Sequence, residues 1–163
     1  GLQQLPAEFQ DKIVLEWGDL TSLHYDSNTF DHVLCWGVLM HIPEQKKAVQ
    51  ELIRVLRPGG SLVISEMNCW APENVVDRWL RQYFRLGSSK ISRSEMGYEL
   101  WTSRSDGKLL TRTLDPLEFT KWISSFNMKL RSRRTCQLTQ QYGRFHWATI
   151  RALIHHINRV CLE

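Results

Sequence analysis

The sequence lacks several features that would assign it to a class at once. None of its nine glycines stand two residues apart, so it contains no Gly-x-Gly loop of the kind that approaches a bound cofactor. Its four cysteines form no Cys-x-x-Cys pair, which argues against a zinc site. No apolar run approaches the ~20 residues needed to cross a bilayer, and residues 1–10 have neither a basic nor an apolar segment typical of a signal peptide. We therefore expect a soluble, cytoplasmic protein in which Cys35 and Cys69 are reduced and buried.

The charge that is present is unevenly distributed. Residues 1–66 carry 5 Lys and Arg against 9 Asp and Glu, and residues 67–163 carry 16 against 8. The simpler interpretation is that arginine-rich helix faces in the second part are solvated. The functional interpretation is that an acidic substrate, a membrane surface or a nucleic acid meets this part. No RNA- or DNA-binding motif supports a nucleic-acid partner.

The first part of the chain alternates strands and helices. Short apolar runs predict strands at residues 12–17 and 30–36. Residues 44–56 carry apolar side chains at helical spacing, and Pro58-Gly59-Gly60 then ends the helix before a third strand at residues 61–66. A strand, a helix and a parallel strand over about thirty residues form a crossover unit. This order predicts an α/β fold with a Rossmann-like, mostly parallel sheet and flanking helices.

Residues 67–163 show a different pattern. Residues 73–86 predict an amphipathic helix whose aromatic face we expect to pack in a core or under a lid, and the serine-rich residues 87–97 predict a loop. Asp106-Gly107 between two short runs predicts a hairpin. Asp115, followed by Pro116, predicts a capped helix that ends near residue 125. Later elements are predicted as strands at residues 128–133 and 135–139 and a last helix at residues 147–161.

Three short motifs occur in order in the first 66 residues. They are Gly18-Asp19-Leu20, the run Phe30-Asp31-His32-Val33 leading into Gly37-Val38-Leu39-Met40-His41-Ile42-Pro43, and Leu56-Arg57-Pro58-Gly59-Gly60 before a strand. With these motifs the chain resembles the class I S-adenosylmethionine-dependent methyltransferases, in particular the small-molecule, methyltransferase type 11-like group. Each motif alone is weak, whereas their order and spacing are specific. Residues 67–163 match no motif and are expected to form the substrate-binding or lid region and the last strands.

The resemblance implies a site for S-adenosylmethionine at the carboxyl ends of the strands, where open α/β sheets bind ligands. Asp19 would accept a hydrogen bond from the adenine amino group, and the Leu20 backbone N–H would meet a ring nitrogen. Cys35, Trp36 and Gly37 would lie under the methionine part of the cofactor. Backbone carbonyls there can accept hydrogen bonds from its ammonium group. No metal is expected.

His41 would lie near the transferring methyl group, as a base or as a residue that orients the acceptor. A base is needed only when the nucleophile arrives protonated, and further candidates for that role are Glu66, Tyr98 and Tyr142. Each assignment has a structural alternative. Asp19 also suits a turn, Trp36 a packed core, and His41 a hydrogen bond to a loop carbonyl.

The chain departs from the family pattern in one respect. The family's Gly-x-Gly-x-Gly loop after the first strand, and the acidic residue after the second strand that takes the ribose hydroxyls, have no counterpart. We therefore expect a single, N-terminally truncated methyltransferase domain over residues 1–163. Residues 1–66 would form its cofactor-side core, and its first two strands would be absent.

The absent strands have a consequence for residues 13–17. In the family's strand order they separate this strand from residues 31–36, and an apolar strand without a neighbour is not stable. Three outcomes follow: the chain is a fragment of a larger protein, residues 13–17 pair directly beside residues 31–36, or the chain self-associates through residues 13–17.

Two functions from different classes follow from these observations. The first is S-adenosylmethionine-dependent methyl transfer to a small or lipid-like acceptor by in-line displacement, with weak or no activity from this chain without upstream residues. The aromatic helix at residues 73–86 and Trp101 indicate an apolar or planar acceptor. The alternative is a non-catalytic, methyltransferase-like interaction module. A nucleotide-sugar or nicotinamide enzyme fits the three motifs poorly.

Overall fold

The structure is a computed structural model, and it describes residues 6, 12–84, 90–105 and 107–134. The chain divides into two compact units, Gly1–Ser65 and Glu66–Glu163, named the N-terminal unit and the C-terminal unit. Within the described residues, the fold is α/β, with one parallel pair of strands and one antiparallel sheet of three strands.

The N-terminal unit contains the strand–helix–strand unit that the sequence predicts. Strand β1 (Phe30–Trp36) pairs in parallel with strand β2 (Leu56–Ser65), and helix α1 (Gln45–Val55) connects them after a short 3-10 helix at Leu39–His41. The face of α1 with helical spacing of apolar residues is buried, through Ala48, Val49, Leu52 and Val55. This arrangement confirms the predicted crossover and corresponds to part of a Rossmann-like fold.

Strand β2 begins earlier than expected. Phe30 pairs with Leu56 while His32 pairs with Ser61, so residues 57–60 form a bulge inside the strand rather than a turn before it. Gly59 has φ +82°. A Cβ at Gly60 would lie 2.6 Å from the backbone oxygen of Asp31. The two glycines therefore let the chain pair with β1 directly after α1. The Pro-Gly-Gly sequence predicts the end of the helix but not this early pairing.

The predicted strand at residues 13–17 is wrong. These residues form no strand, and β1 pairs with β2 alone among the described residues. Trp17 is fully exposed, at 101%. A strand is stabilised by hydrogen bonds to a neighbouring strand, and no described strand lies beside residues 13–17. The expected direct pairing of residues 13–17 with β1 therefore does not occur. For the same reason β1 is not a buried central strand, since Leu34 and Trp36 are exposed.

The C-terminal unit is built around the antiparallel sheet. Helix α2 (Pro72–Phe84) precedes strands β3 (Lys90–Ser94), β4 (Gly97–Arg104) and β5 (Gly107–Leu114), and helix α3 (Pro116–Ser124) follows them. The strand order is β3–β4–β5. The hairpin β4–β5 and both helices confirm the predicted elements.

The start of α3 shows the capping that its sequence predicts. The Asp115 carboxylate accepts hydrogen bonds from the N–H groups of Leu117 at 2.9 Å and Glu118 at 3.4 Å. The indole N–H of Trp70 donates to the other carboxylate oxygen at 2.8 Å. These bonds satisfy helix donors that would otherwise lack partners.

Two predictions for this unit are wrong. Residues 90–94 form strand β3 rather than part of a loop. Backbone pairing with β4 stabilises this strand although its serine-rich composition does not favour one. Residues 128–133 form no strand, since no described strand lies beside them. The sheet is therefore not mostly parallel in the described residues. The strand predicted at residues 135–139 and the helix at residues 147–161 lie outside them.

The aromatic face of α2 is not packed in a core, contrary to the prediction. Trp79, Tyr83 and Phe84 are exposed, and no residue of α2 is buried. The rings contact one another instead: Trp79 stacks on Tyr83 with centroids 5.4 Å apart. Amphipathic spacing predicts that a face is apolar, but the elements around the helix decide whether it is covered.

Apolar side chains from several elements form the core of the C-terminal unit, namely Cys69, Met96, Leu110 and Leu114. One charged group lies among the buried residues: Arg112, 5% exposed, pairs with Glu99 at 2.6 Å. Cys35 and Cys69 are both buried and neither forms a disulfide, which confirms the expectation for these two thiols.

Candidate functional site

The chain turns sharply at Asp19, the first residue expected to contact a cofactor. Its Oδ1 accepts hydrogen bonds from the backbone N–H and the hydroxyl of Thr21, both at 2.8 Å. These two bonds, and the charge of Lys47, hold the pKa of Asp19 below its usual value. Asp19 is therefore an ionised turn residue, as the structural alternative proposed, and its side chain remains exposed.

The same turn leaves an acceptor and a donor on adjacent residues. Within the described part of the chain, Asp19 Oδ2 accepts no hydrogen bond and the Leu20 N–H donates none. The edge of an adenine ring presents the complementary pair, an amino donor and a ring-nitrogen acceptor. These residues therefore fit the adenine of S-adenosylmethionine.

One ion pair fastens the loop at residues 21–29 along α1. Arg54 donates to Glu51 at 2.8 Å and to the backbone oxygens of Tyr25 at 2.8 Å and Leu23 at 3.0 Å. Glu51 also accepts from the Leu23 N–H at 2.9 Å. The hydrogen bonds from Arg54, and then that from Leu23, lower the pKa of Glu51 to about 2. The pair holds in place the loop that directly follows the Asp19 turn.

Sequence reasoning gave Glu51 and Arg54 no role and missed this one. The available signal was their spacing of three residues, which permits an ion pair on a helix. Nothing in the sequence indicates that the guanidinium also reaches two carbonyls that lie 29 and 31 residues earlier.

The carboxyl end of β1 carries the other predicted contact residues. Cys35 is buried, whereas Trp36 is 60% exposed and so is not packed in the core of the described residues. Gly37 has φ +65° and open space where a side chain would lie. Its N–H donates to the Ser65 carbonyl at 2.8 Å, which keeps the two strands paired to their last residues.

His41 ends the 3-10 helix at Leu39–His41, and its side chain is exposed. Its backbone N–H donates to the Val38 carbonyl at 3.1 Å. Leu39 is fully buried and anchors this short helix in the core. The imidazole therefore stands at the surface on a fixed backbone.

The Asp19 turn and the 3-10 helix come to the same end of α1. Lys47, in the first turn of α1, is close enough to Asp19 to lower its pKa, and His41 precedes the helix by four residues. This end of α1 follows the carboxyl end of β1, the edge at which open α/β sheets bind ligands. The structure thus brings Asp19 and the loop carrying His41 to one edge of the unit.

Gln45, the first residue of α1, is a polar residue at this end that sequence reasoning missed. Its side chain is 4% exposed, and its Nε2 has no hydrogen-bond partner among the described residues. A buried donor without a partner costs about 1–3 kcal/mol, so this amide is available to a ligand or a water. Its position one turn before Val49, on the buried face, was the signal that could have found it.

The remaining candidates lie in or beyond the C-terminal unit. Glu66 is half-buried, and the ring of Tyr98 lies 4.0 Å beneath the guanidinium of Arg78. Tyr142 lies outside the described residues. The part of the chain that the structure describes holds no group of three metal-ligating side chains. None of its helices is both long and apolar enough to cross a bilayer.

Known proteins match the N-terminal part of the chain. The family model described as "Methyltransferase domain" matches residues 2–64. A demethylmenaquinone methyltransferase of Shouchella clausii is 36% identical over 66 residues, which cover 40% of this chain and 28% of that protein. One from Renibacterium salmoninarum is 43% identical over 51 residues, covering 31% and 22%. The 27-O-demethylrifamycin SV methyltransferase of Amycolatopsis mediterranei is 35% identical over 60 residues, covering 37% and 22%.

The matched segment spans about a quarter of the length of these relatives. It contains all three motifs, the Asp19 turn and the strand–helix–strand unit that supports them. Residues 2–64 are therefore similar to a methyltransferase domain and to methyltransferases whose names specify small-molecule acceptors.

Proposed function

We propose that the N-terminal unit forms one wall of an S-adenosylmethionine site, in a domain that methylates a small or lipid-like acceptor. The observation that carries this proposal is the acceptor on Asp19 and the donor on Leu20, neither of which has a hydrogen-bond partner among the described residues. The names of the relatives support the acceptor class, since they specify demethylmenaquinone and 27-O-demethylrifamycin SV. Cys35, Trp36 and Gly37 border the methionine part of the cofactor, and the open space at Gly37 leaves room for it.

When bound, S-adenosylmethionine supplies a methyl carbon on a sulfonium sulfur. Asp19, Leu20 and residues 35–37 would hold the cofactor so that this carbon is open to in-line displacement by the acceptor's lone pair, with the carbon–sulfur bonding electrons left on sulfur. The protein's main contribution is therefore alignment of the reacting atoms at about 3–3.5 Å. His41 takes the acceptor's proton when the acceptor arrives protonated, or it orients the acceptor.

This wall is completed, on our proposal, by further strands of the whole domain. Among the described residues, β1 is paired on one edge only, and its side chains Leu34 and Trp36 are exposed. Strands preceding residues 13–17 would pair there and supply the glycine loop and the ribose-binding acid. The exposed apolar residues 13–17 offer the alternative of self-association, which light scattering on the purified chain distinguishes. The free thiols Cys35 and Cys69 suit a cytoplasmic location.

Calorimetric titration with S-adenosylmethionine tests the wall, using this chain and the chain extended by the family's upstream strands. Asp19→Asn is the decisive variant. Its amide oxygen can keep the hydrogen bonds from Thr21, while its NH2 replaces the acceptor that adenine needs. We expect a 10- to 100-fold loss of affinity, equivalent to about 1.4–2.8 kcal/mol. Asp26→Asn, an exposed acid in the following loop, is the matched control and should leave affinity unchanged.

The outcomes separate the hypotheses. Binding by the short chain indicates that it holds the cofactor unaided, whereas binding only by the extended chain indicates a fragment. No binding by either form favours the non-catalytic interaction module. Equal affinities for the Asp19→Asn variant and the unaltered protein would remove Asp19 from the site.

A further inference from the structure

The C-terminal unit carries a shallow cleft of about 450 Å³ on one face of its antiparallel sheet. Four residues line it: Lys90 of β3, Trp101 and Ser103 of β4, and Lys108 of β5. Lys90 pairs across the ladder with Trp101, and Ser103 pairs with Lys108. Residues that face each other across a ladder, or stand two apart on a strand, share a face. The cleft is therefore held by paired backbone rather than by a loop.

Two lysines give this cleft a positive charge. Neither Lys90 nor Lys108 has an ion-pair partner among the described residues. Glu99 is an acid on the same face, but Arg112 engages it with bonds of 2.6 and 3.0 Å. Two ammonium groups in a small cleft concentrate anions there. The excess of basic residues in residues 67–163 adds to this field.

Trp101 gives the cleft a flat apolar surface. Its side chain is half-buried, and its cross-strand neighbour Leu110 is buried, so the indole rests on a packed strand while part of it meets solvent. An aromatic ring that packs against an indole is stabilised beyond the area that it buries. The exposed hydroxyl of Ser103 adds a neutral hydrogen-bond donor beside Lys108.

We propose that this cleft binds a small planar molecule that carries an anionic group, a carboxylate, phosphate or sulfate. Its ring lies against Trp101, and its anion lies between Lys90 and Lys108. Ligand pockets of about 300–1,000 Å³ hold single small molecules, so the volume suits one ring system rather than a polymer. This site lies within the C-terminal unit and does not rest on methyl transfer.

Three probes test the two halves of this recognition on the unaltered chain. They are 2-naphthoate, the matched neutral 2-naphthamide, and inorganic phosphate, each titrated by calorimetry and by the NMR shift of the Trp101 indole N–H. We expect saturable binding of 2-naphthoate that weakens as salt rises. The amide and the phosphate should each bind at least tenfold more weakly. The proposal is overturned by equal affinity for naphthoate and naphthamide, by equal affinity for phosphate, or by no saturable binding.

Variants locate the site. Lys90→Gln with Lys108→Gln should weaken 2-naphthoate at least tenfold, because both charges are removed from the cleft. The matched control is Lys121→Gln, an exposed lysine of α3 in the same unit. An equal loss in the control would show attraction to bulk charge and would overturn the site. If the double variant does not fold, by its circular dichroism, the naphthoate-to-naphthamide ratio of the unaltered chain still decides.

Discussion

The two units differ in what holds their loops in place. In the N-terminal unit, the family motifs contact one another: Arg57 of the third motif pairs with Asp31 of the second at 2.9 Å, and Gly60 packs against the same residue's backbone. In the C-terminal unit, a hairpin and a capped helix hold the structure with signals found in many proteins. Contacts between motifs distant in sequence therefore hold the N-terminal unit, whereas local turn and cap chemistry holds the C-terminal unit.

The largest expected loss of stability comes from a substitution at Gly97 in the C-terminal unit. It tests how closely the backbones of β4 and β5 approach each other. Gly97 has φ +138°, and a Cβ there would lie 2.0 Å from the Thr113 carbonyl oxygen. Gly97→Ala should destabilise this unit by about 4 kcal/mol or more, measured by urea unfolding with hydrogen exchange resolved by unit. Gly107 has the same φ but open space, so Gly107→Ala should cost about 1–2 kcal/mol. Equal losses of stability would show that the positive φ angle alone, and not the contact with Thr113, requires glycine at residue 97.

The buried ion pair of the C-terminal unit gives the next effect. Glu99→Gln leaves the Arg112 guanidinium buried with one charged partner fewer, and we expect a loss of about 2–3 kcal/mol. Asp77→Asn removes an exposed pair with Arg81 on α2 and should cost below about 1 kcal/mol. Thermal unfolding of both variants compares them. A similar cost for the two would mean that burial does not strengthen the pair.

The stabilisation from the Glu51–Arg54 ion pair of the N-terminal unit should depend on pH. Glu51→Gln should cost about 1.5–3 kcal/mol at pH 7, because Arg54 and the Leu23 N–H lose a charged acceptor. The folded pKa of about 2 lies below the usual 4.5. This contribution is therefore full above pH 4.5 and is lost as the pH falls towards 2.

Urea unfolding of Glu51→Gln and of the unaltered chain between pH 7 and pH 3 checks this sign. The difference between the two should shrink as the pH falls. Asp31→Asn, from an exposed pair, is the control. A difference that stays constant would assign the loss to packing rather than to charge.

The smallest effect is expected on the aromatic face of α2. Trp79→Ala should change the unfolding free energy by about 0.5 kcal/mol or less, because the side chain is exposed. Leu52→Ala in α1, a fully packed counterpart, should cost about 2–5 kcal/mol. Equilibrium unfolding measures both. A loss above about 2 kcal/mol at Trp79 would reveal that its face is covered in solution.

Local sequence signals predicted those elements whose causes are local. Helical spacing found α1, Asp106-Gly107 found the β4–β5 hairpin, and Asp115 found the start of α3. The predictions of strands at residues 13–17 and 128–133 were wrong because a strand needs a neighbouring strand, which local composition does not identify.

The same distinction holds at the candidate site. The turn at Asp19 and the exposed loop at His41 follow from short motifs, and whether they bind a cofactor remains a prediction. The hold of Arg54 on the loop at residues 21–29 depends on contacts distant in sequence. No pattern of neighbouring residues reports such contacts.

The buried thiols make the two units separately observable without any substitution. Cys35 lies in the N-terminal unit and Cys69 in the C-terminal unit, and burial, followed by the charge of Asp115, raises the pKa of Cys69. Because alkylating reagents attack the exposed thiolate, each thiol should react with iodoacetamide only when its own surroundings open. The rates at which the two peptides acquire the label, read by mass spectrometry, would time the opening of each unit in one unmodified sample.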